Sequence, residues 1–247
     1  MKILIYGIGG KMGGILYEKI AASKADTVCC GVDKYADKSS FPFPVYDDCS
    51  AIAEKPDCII DFSVKEAVYD FLPYAVKNSV PCVIATTGHS EKEESLITDA
   101  AKKIPVFKSG NMSRGINLLI KLIKTACNYL GDDADVEIVE THHRRKKDAP
   151  SGTALMLAKA VKSVATDTNF VFGRNPDSNK REKHDLGISA VRGGTVVGKH
   201  EVSFFMDDEV ITLTHEAENR AIFAEGSIEA AHYLADKNPG LYDTMDF

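Results

Sequence analysis

Along the first 113 residues, short apolar runs alternate with stretches whose apolar positions recur at helical spacing. Residues 2–6 form the first apolar run and end on Gly7-Ile8-Gly9-Gly10-Lys11-Met12-Gly13. Ile15, Leu16 and Ile20 then share one helical face. Strand-like runs follow at 28–32, 58–62, 81–85 and 105–108, with helical patterns over about 65–78 and 91–103. Short apolar strands separated by helices of 10–15 residues predict βαβ units and a parallel sheet of the doubly wound α/β kind. The strands end on small or polar groups: the glycines, Asp33, Phe62-Ser63, Ala85-Thr86-Thr87-Gly88 and Ser109-Gly110-Asn111. Open α/β sheets bind their ligands at that edge.

Beyond residue 113 the pattern changes. Ile116, Leu119, Ile120, Ile123, Cys127 and Leu130 mark one long helix, followed by a strand over 135–141, a basic run and a second helix. Strands then crowd together at 187–192, 195–205 and 210–216 with little helix between them, which predicts a second, α+β domain with a mixed or antiparallel sheet over 114–219. The polar segment 169–185 reads as a mobile loop. A last helix over about 221–235 is placed to return and complete the first domain, so that 1–113 and 220–247 belong together.

Composition narrows the class. The chain has 247 residues and a net charge of −6, so its overall field favours neither nucleic acid nor an anionic membrane. No apolar run approaches the roughly 20 residues that span a bilayer, and the first residues read as a strand rather than a signal peptide. Six cysteines occur without a C-x-x-C pair, mostly in apolar stretches. They are expected to be reduced thiols of a cytoplasmic protein.

Two segments carry chemistry. In the first, a strand, a glycine turn and a helix set backbone N–H groups and a helix N-terminus against a pyrophosphate. Gly7 permits the turn and Gly9 the approach of the phosphate. The strict G-x-G-x-x-G pattern would place its third glycine at 12, where Met12 stands and Gly13 follows. Asp33, at the end of the second strand, is placed to accept the ribose hydroxyl hydrogen bonds of NADH. Lys11 and Lys34 keep NADPH open.

The second segment is Glu140-Thr141-His142-His143-Arg144-Arg145-Lys146-Lys147-Asp148-Ala149-Pro150-Ser151-Gly152-Thr153. Ser151 is a good N-cap after Pro150, and the amides of Gly152 and Thr153 with the helix dipole suit a carboxylate. His143 and Lys146 offer cations for a second carboxylate. Histidine titrates near neutrality and suits proton transfer. Adjacent histidines in a strand point to opposite faces, so no metal site is expected. A plain solvated loop and a plain helix cap are the bland alternatives.

The stretch from Glu137 to Ala154 fills every fixed position of E-x-x-E-x-H-H-x-x-K-x-D-x-P-S-G-T-A and closely resembles the signature of the dihydrodipicolinate reductase family. The likeness extends over the whole chain. The glycine loop, Asp61-Phe62-Ser63, Ala85-Thr86-Thr87-Gly88 and Ser109-Gly110-Asn111-Met112 resemble the family's cofactor-lining segments. The resemblance implies a Rossmann-type domain plus a mixed-sheet domain used for tetramer assembly. It implies an enzyme of the diaminopimelate route to lysine that reduces a cyclic dicarboxylate with NADH or NADPH. His142 is then the acid/base residue, Lys146 the proton donor, His143 a substrate ligand, and Ser151, Gly152 and Thr153 the carboxylate cradle. The cofactor would meet Gly7, Ile8, Gly9, Gly10, Lys11, Met12, Asp33, Lys34, Phe62, Ala85, Thr86, Thr87, Ser109, Gly110, Asn111 and Met112. Hydride addition to a conjugated imine would leave an enamine for Lys146 and His142 to protonate. Two rival readings stand beside this one: a homoserine or aspartate-semialdehyde dehydrogenase relative, and a nucleotide-sensing or nucleic-acid-binding protein without turnover.

Overall fold

The computed structural model describes residues 1–244 and 246 and divides the chain into two compact units, Met1–Ser113 with Arg220–Phe247, and Arg114–Asn219. Among the described residues no helix is long and apolar enough to cross a membrane.

The first unit is built on a seven-stranded sheet. Its strands are β1 (Lys2–Tyr6), β2 (Thr27–Val32), β3 (Val45–Tyr46), β4 (Cys58–Asp61), β5 (Cys82–Ile84), β6 (Pro105–Lys108) and β12 (Gly240–Tyr242). Their order is β12-β6-β5-β4-β1-β2-β3, and every pairing is parallel. Helices α1 (Lys11–Ala22) and α6 (Ala221–Leu234) meet on one face, where Leu16, Ile20, Ala224, Ala231 and Leu234 pack on Ile3, Ile5 and Ile60. Helices α2 (Val68–Asn78) and α3 (Glu91–Ala101) cover the other face, with Phe71, Leu72 and Ile97 against Leu4, Ile59 and Ile84. A sheet buried on both faces needs continuous apolar strands, which the sequence shows. The strand order reverses at β1, where ligands of such sheets bind.

The second unit holds a five-stranded sheet, order β11-β10-β7-β9-β8. Its strands are β7 (Asp135–His142), β8 (Asn169–Phe172), β9 (Asp185–Arg192), β10 (Gly198–Phe205) and β11 (Val210–Ala217). It is mixed, since β7 and β9 run parallel while β10 is antiparallel to both β7 and β11. Helices α4 (Arg114–Leu130) and α5 (Gly152–Lys162) cover one face through Ile116, Ile120, Ile123, Leu157 and Val161. Along β7 the inward positions are Ile138, Glu140 and His142, so the alternation that buries a core at one end delivers ionisable groups at the other.

Two expectations need correction. The segment 169–185 is not all loop, because Asn169–Phe172 pairs with β9 as an edge strand. The strands β3 and β12, two and three residues long, complete the first sheet without an apolar run of their own.

Candidate functional site

In the first unit the glycine loop closes as a tight turn. Gly7 has φ +83°, and a Cβ there would lie 2.6 Å from the Phe62 carbonyl oxygen. A Cβ on Gly13 would lie 2.2 Å from the Gly7 carbonyl and 2.7 Å from Ile8 Cα, so Gly13 permits the close approach of α1 to β1. The packing role expected of a glycine at 12 falls on its neighbour, which leaves the Met12 side chain facing a cavity. That cavity of about 450 Å³ lies at the ends of β4 and β5, lined by Met12, Phe62, Ser63, Val64, Lys65, Glu66, Ala85, Thr86 and Thr87.

Asp33 closes the loop from the side, with Oδ2 accepting the Gly9 amide at 3.0 Å and Oδ1 the Tyr35 amide at 2.8 Å. Lys11 and Lys34 are exposed. The α1 first turn, the glycine cradle that side chains would fill and the carboxylate at the end of β2 fit a dinucleotide. Not every expected contact gathers here. The Ile8 and Met112 side chains are buried in the core beneath α1 and α6. Ser109 and Asn111 bond within their own turn, Ser109 Oγ donating to the Asn111 carbonyl at 2.8 Å, and with exposed Gly110 they lie outside the cavity lining. Asp61 is buried beside this cavity, and burial pushes its carboxyl up to about 6 against the hydrogen bonds from Ser63.

In the second unit the residues expected to handle protons are organised around Glu140, a carboxylate without exposed surface. Its Oε1 accepts the Ser151 amide at 2.9 Å and Arg192 Nη2 at 2.7 Å. Its Oε2 accepts Arg192 Nη1 at 2.8 Å and faces His142 Nδ1 at 2.5 Å. Burial alone would raise the Glu140 carboxyl. The hydrogen bonds from Arg192, His142 and Ser151 outweigh it and hold the group below the usual range. An ionised Glu140 fixes the proton of His142 on Nδ1 and leaves Nε2 to meet a ligand. Burial, with Lys146 and Arg192 nearby, holds the His142 imidazole below its ordinary pKa despite Glu140. The ring is therefore neutral at pH 7 and accepts at Nε2. Gly198 makes room for it, since a Cβ there would lie 2.9 Å from Nε2.

The basic run leaves β7 and is pinned by backbone bonds from His143 to Val196 and from Arg144 to Gly194. Lys146 Nζ lies 2.9 Å from Asp148 Oδ1 and keeps a fifth of its side chain exposed. The peptide Ala149-Pro150 is cis. Ser151 then caps α5 by accepting the Ala154 amide at 3.1 Å, and its oxygen lies 3.0 Å from His200 Nε2. Its hydroxyl, expected to meet substrate, is thus engaged inside the protein. Gly152 and Thr153 occupy the first turn of α5, where amides point out of the helix end. A Cβ on Gly152 would meet nothing within 4 Å, so space lies in front of them. His200 stands edge-on to His142 with ring centroids 5.1 Å apart, and burial pushes its imidazole down to about 4.

Arg192 and His200 escaped the sequence reading, and Glu140 entered it only as a signature position without a role. Glu140 and His200 occupy inward positions of strands that otherwise bury Ile138, Val202 and Phe204, a polar signal on an apolar face. Arg192 pairs with His142 across the β7–β9 register. A second cavity, of about 490 Å³, includes Val136 from the start of β7 and none of the predicted residues.

A parallel sheet with a phosphate-accepting turn, in one chain with a site that fixes a histidine tautomer beside a lysine, defines a nicotinamide-dependent oxidoreductase. The particular kind follows from comparison with known proteins. Residues 1–112 match the profile of the N-terminus of dihydrodipicolinate reductase and residues 115–247 that of its C-terminus, so the chain belongs to the dihydrodipicolinate reductase family. It is 45% identical over 249 residues to the 4-hydroxy-tetrahydrodipicolinate reductase of Caldanaerobacter subterraneus subsp. tengcongensis, spanning 100% of this chain and 97% of that one. The enzyme of the same name from Clostridium novyi is 41% identical over 246 residues, spanning 99% and 96%. A solved structure of dipicolinate-bound dihydrodipicolinate reductase from Paenisporosarcina sp. TG-14 shares the fold, with a TM-score of 0.80 and 24% identity over 98% of this chain and 97% of that one. Membership of this family sets aside the reading as a homoserine or aspartate-semialdehyde dehydrogenase relative.

Proposed function

We propose that the chain reduces 4-hydroxy-tetrahydrodipicolinate to tetrahydrodipicolinate with NADH or NADPH, in the diaminopimelate route to lysine. The observation that carries this reading is the Glu140–His142 pair at 2.5 Å, with the Ser151 amide at the start of α5 donating to the same carboxylate and the Lys146 charge acting on the imidazole. The relatives' shared name supplies the substrate class.

Gly7, Gly9, Gly10, Lys11 and Met12 would hold the pyrophosphate, Asp33 and Lys34 the adenosine ribose, and Phe62, Ala85, Thr86 and Thr87 the nicotinamide end. When bound, the reduced dinucleotide supplies the hydride. The Gly152 and Thr153 amides take one substrate carboxylate and His143 helps hold the other. Loss of the 4-hydroxyl and a ring proton as water gives the conjugated imine, and hydride addition to that imine leaves an electron-rich enamine carbon that needs a proton. Lys146 Nζ delivers it, and His142 Nε2 orients the donor or relays the charge while Glu140 keeps Nδ1 protonated. The six free cysteines suit a reducing cytoplasm. The sheet face of the second unit opposite α4 and α5 exposes Val139, Val191, Phe205 and Val210, an apolar surface that supports assembly into a homotetramer.

The test is turnover. With substrate made fresh from pyruvate and aspartate semialdehyde, the protein should consume NADH or NADPH as the product accumulates. Nucleotide binding without consumption of either would overturn the reading.

A further inference from the structure

Cys29 and Cys30 are neighbours in β2, and neighbours in a regular strand point to opposite faces. Here they do not. The β1–β2 register passes from Ile3↔Val28 to Leu4↔Cys30, so Cys29 is the extra residue of a bulge. Val28 packs on the α1/α6 side of the sheet, whereas Cys29 and Cys30 both pack on the α2/α3 side. The two sulfurs lie 3.8 Å apart. Two thiolates bonded tetrahedrally to a zinc-sized ion span about 3.8 Å when each bond is about 2.3 Å. On a pyramidal trivalent arsenic, with its narrower bond angles, they sit somewhat closer, so closing the ring draws the two sulfurs in. We propose that Cys29 and Cys30 form a vicinal dithiol site for a trivalent arsenical.

The ligand class follows from what else is near. A metal ion of this size takes four ligands, and among the described residues no group of three or more His, Cys, Asp or Glu side chains is gathered to hold one. A disulfide is disfavoured too, because adjacent Cα atoms lie about 3.8 Å apart and disulfides want roughly 4.4–6.8 Å. An arsenical that already bears one carbon substituent needs only two sulfurs. The step balances without any oxidant: the oxide R–As=O reacts with two thiols, two As–S bonds form, and the oxygen leaves as water with both thiol protons.

The way in is open. Strand β3 pairs only with Gly31 and Val32, so among the described residues no strand covers the outer edge of 27–30. Cys29 is the half-buried member and Cys30 the buried one. The Cys30 thiol bonded to the Cys29 sulfur lowers the Cys29 thiol, which makes Cys29 the first nucleophile. Cys30 then closes the ring.

Titration of the intact chain with phenylarsine oxide tests this, read by intact mass and by thiol count after unfolding. One adduct per chain is expected, with two of the six thiols lost. It should survive excess monothiol and leave on addition of ethanedithiol. Cys29→Ser and Cys30→Ala should each abolish monothiol resistance, whereas Cys127→Ala should retain it. Circular dichroism checks the fold of each variant, and Cys29→Ser, at the half-buried position, keeps the test available if Cys30→Ala unfolds. A monothiol-resistant adduct on folded Cys29→Ser, or no resistant adduct on the native chain, overturns the proposal.

Discussion

Glu140 ties the second unit's ionisable groups together. It is buried, ionised and shared by Arg192, His142 and the Ser151 amide. Removing one partner of such a pair leaves an uncompensated charge, so Arg192→Leu should cost about 3–5 kcal/mol in denaturant unfolding. Glu140→Gln tests the chemistry instead. Its amide can donate to Nδ1 and so move the imidazole proton to Nε2, the wrong tautomer for accepting there. A loss of about 10²–10⁴ in kcat/KM is expected with nucleotide affinity unchanged. A loss confined to nucleotide affinity would refute the tautomer argument. The signature brought Glu140, His142 and Lys146 into view together because they are close in sequence. Arg192 lies 52 residues beyond Glu140, and His200 lies 49 beyond Ser151, so only strand pairing unites them.

Two glycines set how closely neighbouring elements approach. Gly13 lets α1 lie against β1, and an alanine methyl there would collide with backbone rather than with a flexible side chain. Gly13→Ala should destabilise the protein by roughly 1–3 kcal/mol and weaken nucleotide binding, both measurable by thermal shift with and without NADH. Gly198→Ala pushes on the His142 ring from β10 and should lower kcat while leaving nucleotide affinity intact. Elements with clear apolar runs or spacing were legible: β1, β2, β4, β5, β6, β7 and α4 follow directly from them. The short edge strands β3, β8 and β12 were not, because each pairs on one side only and is only partly buried, so no run of buried apolar positions marks it. The one-residue shift of the third glycine was equally hidden, since it depends on how closely a helix meets a strand.

On the scale of the whole molecule, two buried groups give the two units opposite responses to pH. Asp61, raised from 3.8 to about 6, binds its proton more tightly folded than unfolded. Its contribution is present below pH 3.8 and is lost as pH rises through 6, on the order of 3 kcal/mol. His200, lowered from 6.5 to about 4, contributes stability present above pH 6.5 and lost as pH falls through 4, of similar size. Between pH 4 and 6 the two slopes oppose each other. Asp61→Asn should make stability rise more steeply with pH than in the native chain, and His200→Asn should make it rise less or fall. Urea unfolding across that range reads both, and slopes unchanged in either variant would contradict the assignment.

The central claim is that one site in the second unit delivers the proton that completes a hydride reduction. The most direct measurement compares steady-state reduction by the native chain, Lys146→Ala and His142→Ala, with NADH affinity determined for all three. A rate loss of about 10²–10⁴ is expected in each variant with affinity preserved. Rates within about tenfold of native in both variants would contradict it.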